Sequence, residues 1–380
     1  IIAFSFSLLG AFITRSGIIT SVHAFATDPE RGVFLLLIMG VFTGGALVLY
    51  AARASVMEAK GVFGMVSRES ALVVNNILLA VSAFIVFIGT MWPLFSEMFF
   101  DRKLSVGEPW FNAAFTPIMV LLGLVLPLGA MLPWKRGKLG RVALKLRVGF
   151  VFAVAIGALF WAVQTGRSSL GPVGLFLGAW LIAGSATDIL SRGRKGEVLN
   201  RLRNLPRADW GKAVAHAGLG VTMAGIAGLI AWEQEDIRVL KNGEQFDIAG
   251  YTIVLNGVEE VQGPNYLSTM GDVTLLNGTR EIATLNPEKR VYPVAGMPTT
   301  EAAIDIGFFR DVYVVVGDAQ VGGGWAFRTY YKPLANWIWG GAILMAIGGA
   351  LSLSDRRYRV AAGARRTPST TVGVAQNEVA

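Results

Sequence analysis

The sequence has no cysteine and only two histidines among its 380 residues. Without cysteine, the chain can form neither a disulfide framework nor a thiol relay of its own. If it holds a metal or a redox cofactor through nitrogen or sulfur, the candidate ligands are His23, His216 and the methionines. The surroundings of the two histidines are therefore the most informative parts of the sequence.

The composition is that of a membrane protein, with 53% hydrophobic residues and a mean hydropathy of +0.53. The apolar runs reach about 20 residues, the length that a helix needs to cross roughly 30 Å of hydrocarbon. A net charge of +8 would suggest a nucleic-acid partner for a soluble chain. Here the basic residues fall in short loops, so we attribute them to membrane topology and expect no nucleic-acid partner.

The order of apolar and polar segments divides the chain into four parts. We predict a transmembrane helical region with short loops at 1–232, a β domain at 233–333, a last transmembrane helix at 334–353 and a disordered basic tail at 354–380. The predicted fold class is a polytopic all-α helical bundle, with about seven full spans plus one partial span, and a small extracytoplasmic all-β domain. The partial span, Ile1–Ile13, would cover only about 20 Å as a helix, so we expect the sequence to begin inside a transmembrane helix.

Basic residues mark one side of the membrane. If every apolar run crosses once, residues 53–70, 134–147, 191–212 and the tail share a side, and they hold 21 of the 34 lysines and arginines. The opposite side holds 19 of the 26 acidic residues. The positive-inside rule assigns the basic side to the cytoplasm. His23 and the β domain are then predicted to face outside.

The polar segment before the last span has the pattern of a small barrel or sandwich. Three dipeptides are typical of hairpin turns: Asn242-Gly243, Asn256-Gly257 and Asn277-Gly278. Alternating strands are predicted at Phe246–Leu255, Val273–Leu276 and Val312–Val316. The run Gly322–Gly324 suggests a flexible hinge just before the last span.

His23 lies in a polar segment between two apolar runs, eight residues after Arg15 and among small polar residues. An imidazole near a guanidinium suits a porphyrin, because the nitrogen can bind iron and the arginine can bind a propionate. The alternative is a solvated loop histidine beside an ordinary juxtamembrane arginine.

His216 lies six residues into a predicted span that begins at Gly211. An ionisable residue inside a membrane is a candidate functional residue. Its neighbours are small, and Gly220, one turn later, would leave a flat recess on the same face for a haem ring. The alternative is close helix packing, in which small residues let the backbones approach and the histidine bonds across the interface.

Three pairs of segments resemble the CcmF family, the haem lyase subunits of the haem handling protein group. They are TRSG at 14–17 with SVHAFA at 21–26, WG at 210–211 with HAG at 216–218, and PEKR at 287–290 with MPTTE at 297–301. They resemble, in turn, a segment with an outward-facing histidine, a segment with a transmembrane histidine and a segment of the family's periplasmic domain. The likeness runs along the whole chain and corresponds to the C-terminal part of a family member.

The resemblance implies a subunit of a cytochrome c haem lyase complex, which helps to reduce haem and attach it to Cys-x-x-Cys-His of apocytochrome c. It implies that His23 is one of two axial ligands to the iron of the substrate haem. It implies that His216 is one of two axial ligands to the iron of a resident b-type haem in the membrane. The predicted cofactor-binding residues are therefore His23, His216, Arg15 and Gly220. No residue is assigned a catalytic role, because the client thiols and the haem vinyl groups supply the bond-forming chemistry.

The resemblance also implies partners and a location. The partners are a haem chaperone, apocytochrome c, other cytochrome c maturation subunits and the lipid membrane. The location is the bacterial inner membrane, with the β domain in the periplasm. Family members carry a Trp-rich haem-binding segment and two further histidines before the part that matches residue 1, so we expect this stretch alone to be inactive. A family paralogue that acts on an unusual haem motif in nitrite reductase fits the same residues.

Two further hypotheses remain open from the sequence. A transporter could use the Pro-kinked spans and the amides of Asn75 and Asn76, which lie at membrane depth, to line a substrate path, although no repeat between halves is visible. A structural scaffold would use the β domain to dock partners and leave both histidines idle. Tyr266, Arg290 and Tyr292 are candidate contacts for a client, with ordinary surface roles as the alternative.

Overall fold

The computed structural model of the chain describes residues 1–16, 29–56, 62–164, 168, 170–192, 198–294, 296 and 298–355. Its helices are α1 (Ile2–Ser16), α2 (Pro29–Arg53), α3 (Arg68–Phe100), α4 (Glu108–Met131), α5 (Leu139–Val163), α6 (Leu170–Leu190), α7 (Val198–Arg203), α8 (Arg207–Trp232) and α9 (Ala335–Leu353). Its strands are β1 (Gln234–Leu240), β2 (Gln245–Ile248), β3 (Tyr251–Gln262), β4 (Leu267–Asn277), β5 (Arg280–Leu285), β6 (Glu288–Val291), β7 (Pro298–Glu301), β8 (Ala303–Ile306), β9 (Arg310–Ala319) and β10 (Trp325–Pro333).

Helices α2 to α6, α8 and α9 make seven described elements long and apolar enough to cross a bilayer. The helix α1 is apolar but shorter. Ten strands between α8 and α9 form the β domain. These findings confirm the predicted fold class, and the chain is a multi-pass membrane protein. The predicted tail, from residue 356 onward, lies outside the described residues.

The chain folds as two compact units. The first comprises residues 1–122 and 132–137, and the second comprises residues 123–131 and 138–380. In the first unit, the segment after α4 is bonded to the start of α3. The Nε of Arg68 donates to the carbonyl of Leu132 at 2.9 Å, and the backbone N–H of Lys135 donates to the Glu69 carboxylate at 2.9 and 3.0 Å.

Local chemistry sets both ends of α3. Ser67 caps its N-terminus, because the Ser67 hydroxyl accepts a hydrogen bond from the backbone N–H of Ser70 at 3.1 Å. At the other end, Asp101 adopts a left-handed conformation with φ of 50° and stops the helix after Phe100. The 33 residues between these ends span about 50 Å, so α3 is longer than the hydrocarbon core and extends beyond it or tilts within it.

In the second unit, α8 packs against both α6 and α9 with backbone in contact with backbone. A Cβ added to Gly218 of α8 would lie 2.7 Å from the carbonyl oxygen of Gly341 in α9. On the other side of α8, a Cβ added to Gly220 would lie 2.7 Å from the carbonyl oxygen of Gly178 in α6. Small residues therefore let three helices approach closely, as is common where lipid surrounds the bundle.

The β domain is a sandwich of two sheets. One sheet has the strand order β1-β10-β9-β8, and the other has the order β2-β3-β4-β6-β7 with β5 paired to β4. The inner faces share one core of large apolar side chains, which includes Leu240, Phe246, Ile248, Ile253, Leu255, Val273, Leu275, Leu285, Val312, Val314, Val316 and Phe327. The predicted strands Val273–Leu276 and Val312–Val316 lie within β4 and β9.

Turn chemistry corrects several predictions. Asn277-Gly278 does form the tight turn between β4 and β5, with Gly278 at φ of 60°. Asn256-Gly257 does not turn the chain; it lies inside β3, at a register shift against β4. The predicted strand Phe246–Leu255 is two strands, because Ala249 and Gly250, at φ of 50° and 84°, reverse the chain within it.

The glycine run Gly322–Gly324 is not a hinge before the last span. It forms the turn between β9 and β10, where the N–H of Gly323 donates to the Gln320 carbonyl and the N–H of Gln320 donates to the Gly324 carbonyl, both at 2.9 Å. The chain then runs the length of β10 before it reaches α9.

Single residues join the sandwich to the helices. Glu233 alone separates α8 from β1, and Leu334 alone separates β10 from α9. Leu334 adopts a left-handed conformation with φ of 56°, which redirects the chain from strand to helix. The Nζ of Lys332 lies 3.0 Å from the Oε1 of Glu233, so an ion pair links the two junctions. Because β1 pairs with β10 and α8 packs on α9, two neighbouring helices continue into two neighbouring strands.

Candidate functional site

His216 lies in the third turn of α8, about 14 Å along the helix from Arg207. Its side chain is half-buried, so part of the imidazole remains accessible. Because α8 is one of the spanning helices, this ionisable side chain lies within a membrane-spanning segment. Such a placement is costly, and residues that have it are usually functional.

The face of α8 that carries His216 meets α6 and the second half of α4. Lys212 and Met223 share this face, since spacings of four and seven residues return to the same side of a helix. The Nζ of Lys212 is 2.6 Å from the Oδ2 of Asp188 in α6 and donates to the carbonyl of Ala130 in α4 at 3.3 Å. Met223 packs against Gly123 of α4.

A cluster of four charged side chains joins the ends of α6 and α8, one turn from His216. The Nη1 of Arg192 is 2.7 Å from the Oδ2 of Asp209, and its Nη2 is 3.3 Å from the Oδ1 of Asp188. Asp188, 5% exposed, is thus held by both Arg192 and Lys212. Two acids and two bases balance, and removal of one base would leave a buried carboxylate less compensated.

Asp188 is a candidate functional residue that was not predicted from the sequence. The available signal was a single acid inside the apolar run 170–190. Lys212 lies one turn before His216 on the same face of α8 and is paired with Asp188, so the cluster belongs to the surroundings of the imidazole.

The structure does not have the open recess that we predicted beside Gly220. The space beside it is filled by α6, because an added Cβ would meet the Gly178 carbonyl at 2.7 Å and the Ile182 side chain at 2.9 Å. Its observed role is close packing of α8 on α6, the alternative that the sequence left open.

The donor set around His216 fits one axial ligand of a haem. Within the described residues, no group of three or more His, Cys, Asp or Glu side chains is placed to hold a metal ion. A haem iron needs only one or two protein ligands, because the porphyrin supplies the other four. A half-buried imidazole meets that requirement, although a macrocycle cannot enter between Gly220 and α6.

The other predicted ligand site is only partly described. His23 lies outside the described residues. Arg15 lies in the last turn of α1, in the first unit, and its side chain is exposed. Of the four predicted cofactor-binding residues, His216 and Gly220 occur together on one described element, and Arg15 belongs to another unit.

The candidate client residues of the sandwich come together on its surface. The Arg290 guanidinium lies 4.5 Å from the centre of the Tyr266 ring, and the rings of Tyr266 and Tyr292 are 5.5 Å apart. Arg290 also donates to Glu288, with its Nε 2.8 Å from the Oε2 of that carboxylate. This bond is the main cause that lowers the pKa of Glu288. The segments 287–290 and 297–301 resemble the periplasmic domain of the family. In the structure they fall mainly on two neighbouring strands, since β6 pairs with β7.

Residues 231–333 match the family described as the CcmF C-terminal beta-sandwich. The chain is also similar in fold to the solved structure of "Cytochrome c Heme Lyase CcmF", with a TM-score of 0.66 and 22% sequence identity over 92% of this chain and 55% of that one. At this identity, the likeness shows the fold.

Two curated relatives match nearly the whole chain. Cytochrome c-type biogenesis protein ccl1 of Rhodobacter capsulatus is 60% identical over 96% of this chain and 56% of its own length. Cytochrome c-type biogenesis protein CycK of Bradyrhizobium diazoefficiens is 45% identical over 95% of this chain and 56% of its own length. The chain thus spans about half the length of the curated relatives it matches. Over the part it shares with them, the chain is similar to cytochrome c-type biogenesis proteins of the CcmF family.

Proposed function

We propose that this chain is part of a cytochrome c haem lyase subunit, which holds a haem b in the membrane and receives a second haem as substrate. The observation that carries the proposal is the half-buried imidazole of His216 within a spanning helix of a chain that is 60% identical to ccl1. In this role, the subunit positions haem from a haem chaperone. It then assists the reduction of this haem and its covalent ligation to Cys-x-x-Cys-His of apocytochrome c.

The imidazole of His216 would hold the haem b through its iron, and the haem, when bound, would supply one-electron redox chemistry. The chain's own contribution is to fix the imidazole. One turn before it, Lys212 is held by Asp188 and by the Ala130 carbonyl. One turn after it, Gly220 is held against Gly178. A helix fixed on both sides of the histidine holds in place the backbone from which the imidazole projects.

His23 is proposed to bind the iron of the substrate haem on the periplasmic side. Arg15, exposed at the end of α1, is proposed to bind a propionate of that haem, because its guanidinium matches a carboxylate in shape and charge. The absence of cysteine from this chain fits a mechanism in which the client supplies both thiols.

The proposed partners are the haem chaperone, apocytochrome c and other cytochrome c maturation subunits. The proposed location is the bacterial inner membrane, with the sandwich in the periplasm. The charge distribution supports this orientation, since the basic loops would then face the cytoplasm. The surface formed by Tyr266, Arg290 and Tyr292 is a candidate contact for the client, because a paired arginine stacked on one of two adjacent aromatic rings suits protein recognition.

Haem spectra of three variants of the whole protein test the proposal. We expect His216→Ala to abolish the b-type absorption of the purified protein, because the variant lacks the imidazole that would hold the haem. We expect His23→Ala to retain that absorption but to stop maturation of a reporter cytochrome c. The matched control is Val214→Ala. Val214 is half-buried and lies two residues before His216, on a different face of α8.

The outcomes separate the alternatives. A normal spectrum and normal maturation in both histidine variants would favour the structural scaffold over the haem lyase subunit. Loss of absorption in Val214→Ala as well would mean that the spectrum reports the integrity of α8 and not a ligand.

A further inference from the structure

The loop between β8 and β9 exposes an apolar tip. Phe308 is 71% exposed and Phe309 is 65% exposed, and their rings meet edge to face at 4.8 Å. Ile306, the last residue of β8, is also largely exposed. Such a cluster at the end of a hairpin costs solubility unless something apolar covers it.

Hydrogen bonds fix this tip to the start of α9. The indole N–H of Trp337 donates to the Phe308 carbonyl at 3.0 Å, and the backbone N–H of Leu334 donates to the Phe309 carbonyl at 2.8 Å. The side-chain amide of Asn336 donates to the Gly307 carbonyl at 2.8 Å. The tip therefore lies at the level of the first turn of α9.

That level is a membrane boundary. α9 is a spanning helix of 19 residues, so its first turn marks the place where the chain enters the bilayer. Trp337 and the exposed Trp339 lie at this end of α9, and Trp232 lies at the matching end of α8. Tryptophan is enriched where hydrocarbon meets head groups.

The charge beside the tip is already neutralised. Arg310 follows the two phenylalanines, but it is paired with Asp305 and its Nε donates to the Tyr251 hydroxyl at 3.0 Å. The tip thus offers apolar rings with no free cation of Arg310, which suits the interface of a zwitterionic phospholipid and gives an anionic head group no additional attraction.

We infer that Phe308 and Phe309 insert into the interfacial layer of the phospholipid bilayer and anchor the sandwich to the membrane surface. The inference is independent of haem binding. It needs only that α9 crosses the bilayer, and it gives the exposed rings the same apolar surroundings as the neighbouring helix end.

Spin-label accessibility tests the insertion. The whole protein, with Phe308→Cys and a nitroxide on the new thiol, is placed in nanodiscs of phosphatidylcholine. This chain contributes no other cysteine. The matched control is Val321→Cys, in the fully exposed turn between β9 and β10. We expect collisions with oxygen, relative to collisions with a water-soluble nickel chelate, to be several-fold more frequent for the label at 308 than for the label at 321.

Two results would overturn the inference. Equal collision ratios at the two positions would place the tip in water. Low accessibility to both reagents at 308 would mean that protein covers the tip. The matched measurement in nanodiscs with added phosphatidylglycerol should leave the ratio at 308 unchanged, and a clear rise would contradict the zwitterionic assignment.

Discussion

The helices of the second unit and the β sandwich reach close packing in opposite ways. Between α8 and α9, the contact is backbone against backbone, at Gly218 and Gly341. In the sandwich, large side chains such as Phe327 fill the space between two sheets. In lipid, helices gain from close approach, whereas in water a sandwich gains from the apolar area it buries. Added atoms should therefore be costly where α8 meets α9, and removed atoms should be costly in the core of the sandwich.

A side chain added between α8 and α9 should have the largest effect of the changes considered for these two regions. Gly341→Leu would put a Cβ 2.2 Å from the Thr222 hydroxyl and 2.5 Å from the Gly218 carbonyl, so the helices must separate. We expect the variant to yield no monodisperse folded protein on size exclusion in detergent. Gly340→Leu is the control, because nothing lies within 4 Å of a Cβ at that position. Equal yields of both variants would contradict the close contact.

Removal of a side chain from the sandwich should have the next largest effect. Phe327 is 1% exposed, so Phe327→Ala leaves a cavity in the core and should lower the free energy of unfolding by about 3–5 kcal/mol. Thermal or denaturant unfolding of the whole protein, followed by a β-sheet signal, measures this loss. The exposed Ile237 of β1 provides the control, since Ile237→Ala should change stability by less than about 0.5 kcal/mol. A similar loss of stability in both variants would mean that the packing of Phe327 contributes no more to the fold than an exposed side chain does.

The smallest effect is expected on the sandwich surface, where Arg290 lowers the pKa of Glu288. A carboxylate with a lowered pKa in the folded state stabilises the fold above the unfolded pKa of about 4.3. That stabilisation is lost as the pH falls through the lowered pKa. We expect Arg290→Gln to lower the unfolding temperature slightly at pH 6 and to match the wild type at pH values below both pKa values.

Arg280→Gln, on strand β5, controls for the loss of a positive charge from the same sheet. A difference between Arg290→Gln and wild type that persists unchanged at low pH would assign the effect to packing on Tyr266 and not to the ion pair.

The sequence was most informative where a property is averaged over many residues. The seven long helices follow from hydropathy over about 20 residues, which no single neighbour can change. The β class of residues 234–333 follows in the same way from repeated alternation and turn residues. Fold class was therefore predictable before any contact was known.

Single positions were less predictable, because their roles depend on what lies opposite. Asn256-Gly257 has the composition of a turn, but it is paired along β4 and serves as a bulge. The turn at Ala249-Gly250 lacked the usual Asn or Asp. The sequence indicates that Gly220 leaves space beside α8, but only the structure shows that α6 fills that space.

The candidate site was half visible from the sequence. His216 stood out because imidazoles are so few. Its charged neighbours did not, since Asp188 and Lys212 are 24 positions apart and meet only because α6 packs on α8. The exposed rings of Phe308 and Phe309 were equally hidden, because a pair of phenylalanines in a strand-rich segment usually predicts core.

The junctions at Glu233 and Leu334 have a mechanical consequence. Each junction between helix and strand is one residue long, and an ion pair links the two junctions. The sandwich therefore has little freedom to move independently of α8 and α9. A small rotation of the α8–α9 pair in the bilayer should therefore rotate the β1–β10 strand pair with it. Conversely, a partner that rotates the sandwich on docking would also move α8, the helix that carries His216.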